Sequence, residues 1–303
     1  MRFGIDLGGT KTEIIALAKG NKEVYRKRRP TPQNNYHGIL NTIASLVHEA
    51  ESQLAITGTV GIGIPGTLSP DHGLIKNANS VCLIGEDLQH DLKNRLQREV
   101  RVANDADCFT LSEASDGAAA HCNTAFGVIL GTGVGGGITI NKTLLKGPNG
   151  ITGEWGHNPL PWPNQHDQPF PPCYCGKQGC IETFLSGPGF KHSYWSLTGQ
   201  NLSPSEIVAL LETNDKADIA FTNYIDRLAR SLATVINILD PDVIVLGGGM
   251  SNIQAIYQQV EKVWSSYVFS DKVNTKLVKA LHGDSSGVRG AAWLWHENES
   301  IHP

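Results

Sequence analysis

The feature that most constrains the fold of this chain is a strand, a glycine turn and a second strand that occur twice. Residues 5–17 read IDLGGTKTEIIAL, and residues 129–140 read ILGTGVGGGITI. Two adjacent strands joined by such a turn form a hairpin, unlike the strand-to-helix transition of a dinucleotide-binding fold. Because the pattern recurs in the second half of the chain, we expect two lobes built on one plan.

The remaining periodicity agrees with an α/β protein. Apolar residues at helical spacing predict helices at residues 37–54 and 220–239, and apolar runs predict strands at residues 59–64 and 243–246. Strands alternating with helices favour an α/β fold.

A chain of 303 residues favours about two domains. We place the N-terminal lobe at residues 1–118, joined by a C-terminal helix at residues 288–303, and the C-terminal lobe at residues 119–287.

Charge and composition exclude several classes of partner. The net charge is −4, and the one basic run, Arg26 to Arg29, lies in a segment that alternates like a solvated edge strand. We therefore expect no nucleic acid and no membrane as partner. The chain begins on a strand without a signal-peptide pattern and has no apolar run of membrane-spanning length, so we expect a cytoplasmic protein.

The glycine turns contain residues that suit a bound phosphate. Glycine lets backbone N–H groups approach phosphate oxygens, and threonine adds a hydroxyl donor. A carboxylate at Asp6 suits a Mg²⁺–phosphate unit, and Lys11 adds positive charge. One such turn more often serves only as a tight hairpin, but two turns and a third glycine run favour a nucleotide. The candidate nucleotide-binding residues are Asp6, Gly8, Gly9, Thr10, Lys11, Gly131, Thr132, Gly133, Gly135, Gly136 and Gly248.

Residues 151–184 contain a candidate metal centre. Their proline and glycine content excludes long helices or strands, and they contain His157, Cys173, Cys175 and Cys180. A tetrahedral zinc ion with three cysteines and one histidine would hold such a segment in shape. The spacing C-x-C-x₄-C departs from the common C-x₂-C, so scattered buried cysteines remain an alternative, and His166 is a competing ligand.

Several separate motifs together resemble the ROK family of sugar kinases and sugar-responsive repressors: DLGGTK, GTGVGGG, DPDVIVLGGG and GCIE. The resemblance implies the actin-like ATPase (ribonuclease H-like) fold, with ATP and Mg²⁺ bound between two lobes. Within the family the chain is most similar to bacterial fructokinases of the mannofructokinase type. The shared stretches are KNANS, GEWGHNPLPW, PCYCGKQGCIETF and HGDSSGVRGAAWLW.

The resemblance also implies roles for individual residues. Asp105 corresponds to the general base and Asn104 to a residue that holds neighbouring sugar hydroxyls, although an Asp before a helix commonly serves as an N-cap. Glu154, His157 and Glu182 resemble the remaining sugar contacts, whereas most Glu residues are merely solvated. Weaker candidates are Gly66, in the pair Pro65-Gly66, and residues 77–80.

The resemblance further implies that the three cysteines and His157 form a structural zinc site. We expect His157 to bind the metal through one ring nitrogen while the other nitrogen faces the sugar.

The activity that the resemblance implies is transfer of the γ-phosphoryl group of ATP to the 6-hydroxyl of D-fructose, giving ADP and D-fructose 6-phosphate. A kinase for mannose, glucose or N-acetylglucosamine is the alternative. A sugar-sensing repressor of the same family is less favoured, because those proteins have a helix-turn-helix domain before the sugar-binding body and here a strand starts at residue 2. A homodimer would fit the family.

Overall fold

The computed structural model describes residues 1–78 and 80–299 and divides into two compact units. Unit 1 comprises residues 1–121, 137–152 and those from Leu281 onward, and unit 2 comprises residues 122–136 and 153–280. The lobe boundaries proposed from the sequence stay a prediction.

The first 121 residues contain seven strands and three helices within the described part of the chain. The strands are β1 (Arg2–Leu7), β2 (Lys11–Leu17), β3 (Glu23–Pro30), β4 (Thr59–Ile64), β5 (Thr67–Leu68), β6 (Ile75–Lys76) and β7 (Val100–Asn104). The helices are α1 (Tyr36–Leu54), α2 (Leu88–Leu96) and α3 (Asp105–Asp116).

The rest of the described chain continues the alternation of strands and helices. The strands are β8 (Thr124–Leu130), β9 (Val134–Ile140), β10 (Thr143–Leu144), β11 (Val243–Gly247) and β12 (Lys276–Lys279). The helices are α4 (Ile181–Leu185), α5 (Gly187–Thr198), α6 (Pro204–Ala209), α7 (Asp215–Leu239), α8 (Ala255–Val263) and α9 (Ser286–Trp293).

The two five-stranded sheets have the same strand order, which confirms the predicted repeat. One sheet has the order β3-β2-β1-β4-β7, and the other has the order β10-β9-β8-β11-β12. In the first sheet β1 pairs antiparallel with β2 and parallel with β4. In the second, β11 pairs parallel with both β8 and β12. Each glycine turn therefore follows the central strand of its sheet.

The second glycine turn is shorter than predicted. Gly135 and Gly136 lie inside strand β9, and the turn consists of residues 131–133. A Cβ on Gly136 would lie 2.8 Å from the Gly153 carbonyl oxygen and 2.9 Å from Trp155 Cδ1. Gly136 therefore allows close packing against the strand, a use that a glycine run does not distinguish from a turn.

Close packing of α9 positions helix α3. A Cβ on Gly4 would lie 2.1 Å from Val288 O, and a Cβ on Gly61 would lie 1.9 Å from Ala291 O. The same helix contributes Gly290, whose added Cβ would lie 1.6 Å from Cys108 O of α3. Three glycines thus let α9 lie directly on the first sheet and on α3, the helix that starts at Asp105.

A fully buried carboxylate on α3 strengthens this packing. Glu113 accepts hydrogen bonds from the N–H groups of Leu281 and His282, at 2.9 and 3.0 Å, and from Ser286 Oγ at 2.7 Å. These hydrogen bonds fix the segment that precedes α9, and the first residue of α9, to α3.

The C-terminal helix differs from the predicted one. It ends at Trp293, whereas the prediction extended it to residue 303, and residues 300–303 of that prediction lie outside the described residues. Among the described residues, no helix combines the length and the apolar character that crossing a membrane requires.

Candidate active site and metal centre

The first glycine turn connects β1 to β2 in unit 1. The Gly8 N–H donates to the Lys11 carbonyl at 3.0 Å, which closes the turn, and Thr31 Oγ1 donates to Gly8 O at 2.7 Å. Gly9, Thr10 and Lys11 are exposed. The turn is thus held at Gly8 by hydrogen bonds, while Gly9, Thr10 and Lys11 are accessible to a ligand.

Asp6 precedes this turn in a strongly acidic environment. Burial raises the pKa of its carboxyl to about 6, and the carboxylates of Asp105 and Glu13 contribute to the rise. Lys11 and Arg28 act in the opposite direction. A cation beside Asp6 would relieve this repulsion, since an opposite charge favours the ionised carboxylate.

The junction of β7 and α3 brings together Asn104, Asp105 and Gly66. Asn104 is the N-cap of α3: its Oδ1 accepts from the Ala106 N–H at 2.8 Å, and its Nδ2 donates to Gly66 O at 3.0 Å. An Asp before a helix is often its N-cap, but the N-cap of α3 is Asn104 and not Asp105. Asp105 follows it at the exposed first position of the helix, and its Oδ1 also accepts from the Ala106 N–H at 2.8 Å.

Gly66 has a conformation that only glycine adopts readily. Its φ is +139°, and a Cβ would lie 2.9 Å from the Lys76 carbonyl oxygen and from Ala78 Cβ. Of the weaker candidate segment 77–80, Asn79 lies outside the described residues.

The second glycine turn lies in unit 2 beside the third glycine run. The Gly131 N–H donates to Gly133 O at 3.0 Å. Gly248 has φ +78°, and a Cβ there would lie 2.5 Å from Leu130 O and 2.9 Å from Gly131 N. The structure therefore brings Gly248 next to the Gly131-Thr132-Gly133 turn, although more than a hundred residues separate them.

Glu182 joins this turn to the cysteine-rich segment. Its Oε2 accepts from the Val134 N–H at 2.8 Å, and a Cβ on Gly133 would lie 2.6 Å from the same oxygen. Glu182 is thus fixed in place and is not a solvated surface carboxylate.

His157, Cys173, Cys175 and Cys180 come together in unit 2. Their four ligand atoms lie within 4.8 Å of one another. Cys175 Sγ is 3.6 Å from Cys180 Sγ, and Cys173 Sγ is 3.5 Å from His157 Nδ1. Tetrahedral zinc with ordinary ligand distances places two sulfurs about 3.8 Å apart and a sulfur and a nitrogen about 3.6 Å apart. The cluster therefore has the dimensions of a zinc site, and His166 lies outside it.

The pKa values of the three thiols in the cluster are shifted in the folded protein. Burial raises the pKa of Cys173, and burial together with the other two thiols raises the pKa of Cys180 to about 12. A hydrogen bond from the Lys177 backbone lowers the pKa of Cys175. Because a bound metal deprotonates coordinating thiols, metal binding at this cluster would release the protons that Cys173 and Cys180 otherwise retain.

The second ring nitrogen of His157 is not open toward a ligand, contrary to our prediction from the sequence. Nε2 lies 2.9 Å from the hydroxyl of Tyr174, and the two rings meet edge to face at 90°. The tyrosine between the first two cysteines thus occupies the position where we expected a sugar oxygen.

Glu154 is half-buried and precedes the short helical turn Trp155–His157. Its backbone carbonyl accepts from the His157 N–H at 3.3 Å.

A buried ionic network supports the cysteine-rich segment from the side of α7, and the sequence analysis missed it. Asp167 accepts from Arg227 Nε at 2.8 Å and from Arg230 Nη2 at 3.0 Å. Burial would raise the pKa of Asp167, but the Asn164 N–H and the two arginines lower it. The sequence pattern that could have indicated this network is a pair of arginines, Arg227 and Arg230, among the apolar residues of α7.

Comparisons with known proteins place the chain in a family. The ROK family model matches residues 2–298. An N-acetyl-D-glucosamine kinase of Pectobacterium atrosepticum is 42% identical over 299 residues, which cover 97% of this chain and 98% of that protein. A second protein of that name, from Salmonella gallinarum, is 40% identical and is covered to 99%. These relatives are not named fructokinases, so the prediction of fructose as substrate is not confirmed.

Solved structures share the fold. A ROK hexokinase from Thermus thermophilus superposes with a TM-score of 0.85 at 26% identity, with 96% of each chain covered. A ROK family transcriptional regulator matches with a TM-score of 0.80 at 21% identity, and the match covers 77% of that chain. The predicted two-lobe α/β fold of the actin-like ATPase type is confirmed. This chain belongs to the ROK family.

Proposed function

We propose that the protein is an ATP-dependent sugar kinase that transfers the γ-phosphoryl group of ATP to the 6-hydroxyl of a hexose. The observation that carries this proposal is the identity of 42% over nearly the whole chain to an N-acetyl-D-glucosamine kinase. The two glycine turns, the exposed Asp105 at the start of α3 and the metal-sized cluster beside Glu182 agree with it.

In this proposal Asp105 acts as the general base. Its carboxylate accepts the proton of the attacking hydroxyl while the sugar oxygen forms a bond to the γ-phosphorus and the bond to the β-phosphate oxygen breaks, which releases ADP. Asn104 fixes the position of Asp105 by capping the helix and donating to Gly66 O at 3.0 Å. The proton is later released to solvent.

The residues that we propose to bind ATP lie in the two glycine turns. In the first turn, Gly8, Gly9, Thr10 and Lys11 suit the phosphates, and Asp6 suits the Mg²⁺ that accompanies ATP. The second turn consists of Gly131, Thr132 and Gly133, with Gly248 packed against them. Gly135 and Gly136 support that turn from within β9 and do not form part of it.

The sugar would be bound by carboxylates and amides that accept from or donate to its hydroxyls. The proposed residues are Asn104, Asp105, Gly66, Glu154 and Glu182, whereas His157 acts as a metal ligand. A zinc ion held by His157 and the three cysteines would be structural, because four protein ligands leave no open position for water. When bound, it supplies rigidity to a segment that has little regular structure.

Two acceptor sugars have specific support. The names of the relatives favour N-acetyl-D-glucosamine, whereas the motif resemblance described above, in KNANS, GEWGHNPLPW and PCYCGKQGCIETF, favours D-fructose. Specificity among hexoses depends on a few hydrogen bonds and on pocket shape. An acetamido group adds bulk and an amide at one ring position, so a single site is expected to prefer one of the two sugars.

The test is ADP release with Mg²⁺–ATP across a panel of N-acetyl-D-glucosamine, D-fructose, D-mannose and D-glucose. We expect sugar-dependent ADP release, with the highest kcat/KM for one of the first two sugars. The phosphorylated position is then identified by NMR of the product. If no sugar stimulates ADP release, the kinase proposal is wrong, and retained DNA binding at moderate salt would support the repressor alternative.

A further inference from the structure

Tyr174 lies between two proposed metal ligands and faces a third. The residue is 75% exposed, and its hydroxyl lies 2.9 Å from His157 Nε2. The ring centroids of Tyr174 and His157 are 5.0 Å apart. An exposed tyrosine held in one orientation by a histidine has a defined direction for its hydroxyl, unlike a freely rotating surface residue.

The chemistry of the cluster decides which group donates in this pair. His157 Nδ1 faces the cysteines, 3.5 Å from Cys173 Sγ, so its lone pair is the one directed at a metal. A histidine that binds a metal through one ring nitrogen has its proton on the other. Nε2–H therefore donates and the Tyr174 oxygen accepts, which is the usual second contact of a metal-bound histidine.

This assignment leaves the phenol hydrogen of Tyr174 available to another acceptor. A tyrosine hydroxyl ordinarily keeps its hydrogen at neutral pH, so it can donate that hydrogen while its oxygen accepts from His157. The carboxylates of Glu182 and Glu154, which we propose as sugar contacts, interact electrostatically with this hydroxyl.

We propose that Tyr174 links the metal centre to the acceptor sugar. It accepts from His157 Nε2–H, which fixes the histidine ring for the metal, and it donates its own hydroxyl hydrogen to a sugar oxygen. The metal half of the proposal stands alone, whereas the sugar half rests on the proposed kinase function.

The metal half is tested with zinc-loaded Tyr174→Phe protein, without ATP or sugar. Competition with a chromophoric chelator should show a zinc affinity about 10-fold below wild type, the lower end for losing such a contact, because water can reach this exposed site. The matched control is Tyr267→Phe, which removes a hydroxyl bonded to Asp226 at 2.7 Å in the same unit and should leave zinc affinity unchanged. Equal zinc affinity in wild type and Tyr174→Phe overturns the metal half.

A spectroscopic measurement separates this role from general destabilisation. In the zinc-loaded wild type, ¹⁵N-histidine NMR should show His157 protonated at Nε2, with slow exchange of that hydrogen. Tyr174→Phe should keep the tautomer and exchange the hydrogen at least several-fold faster. Protonation at Nδ1 in the zinc-loaded protein would overturn the assignment of donor and acceptor.

The sugar half is tested by steady-state kinetics with the sugar that the panel identifies. Tyr174→Phe should raise KM for the sugar several-fold, leave KM for ATP unchanged and change kcat less than twofold, because the phenol binds the acceptor without taking part in proton transfer. An unchanged sugar KM overturns the sugar half. If no sugar is phosphorylated by the wild type, the proposed function fails while the zinc measurement remains valid.

Discussion

Replacing Gly290 with alanine tests the close contact between α9 and α3. A Cβ at this position would lie 1.6 Å from the Cys108 carbonyl oxygen and 2.3 Å from its carbonyl carbon. Both atoms belong to the backbone of α3, so no side-chain rotation relieves the overlap. The two helices must separate, and α3 begins at the proposed base Asp105.

Two effects of opposite sign determine the magnitude. Alanine is favoured over glycine in a helix by about 1 kcal/mol. Overpacking a close contact costs up to about 3 kcal/mol, and the upper end applies where backbone atoms overlap this strongly. The difference, about 3 minus about 1, predicts a net loss of about 2 kcal/mol in the free energy of unfolding.

The assay is urea unfolding of wild type and Gly290→Ala, followed by far-UV circular dichroism. Gly287→Ala is the matched control in the same helix, because its added Cβ would lie 3.8 Å from the Asp6 carboxyl group, an ordinary contact. We expect this control to be as stable as wild type or slightly more stable. If Gly290→Ala were equally stable, α9 and α3 would not approach each other as closely as described.

Three further predictions concern the buried charges and the metal. Asp167→Asn removes the carboxylate that pairs with both buried arginines, Arg227 and Arg230, and leaves Arg230 with its ion pair to Asp226. It should destabilise the protein by about 3 to 5 kcal/mol. Glu99→Gln, which breaks the exposed pair with Lys93, should cost less than about 1 kcal/mol, and thermal melts compare the two variants. The pKa of the Asp6 carboxyl is about 6 in the folded protein, against 3.8 for an unperturbed carboxyl. The free energy of unfolding therefore falls as the pH rises from about 4 to 6, because the folded state disfavours the ionised carboxylate. Asp6→Asn should therefore be more stable than wild type above pH 6, by up to about 3 kcal/mol, and should show no such gain in urea unfolding at pH 3.5. A zinc chelator should lower the melting temperature of wild type and its affinity for sugar together, and normal sugar binding by zinc-free protein would contradict the structural role of the metal.

The repeat could be predicted because it is local in sequence. A strand, a glycine turn and a strand determine a hairpin, and two copies determine two similar sheets. The end of the second turn could not be predicted, because Gly136 packs closely against Trp155 and Gly135 O accepts a hydrogen bond from the same residue, a partner that is identified only in the folded chain.

The candidate site shows the same division between local and distant information. The four metal ligands were recognisable from residue type and family resemblance, and the structure brings them to zinc-like distances. The role of Asn104 as the helix cap, the buried partners of Glu113 and the contact between Tyr174 and His157 depend on side-chain direction. Gly248 beside Gly131 depends on pairing between strands distant in sequence. Periodicity contains none of this information.

The most direct test of the proposed mechanism is the turnover number of Asp105→Asn with the preferred sugar and saturating Mg²⁺–ATP. The exchange keeps the size of the side chain and the acceptor oxygen near the Ala106 N–H but removes the proton acceptor. We predict a fall in kcat of at least about 100-fold, with the affinities for sugar and for ATP within a few-fold of wild type. Near-normal turnover would show that Asp105 is not the base.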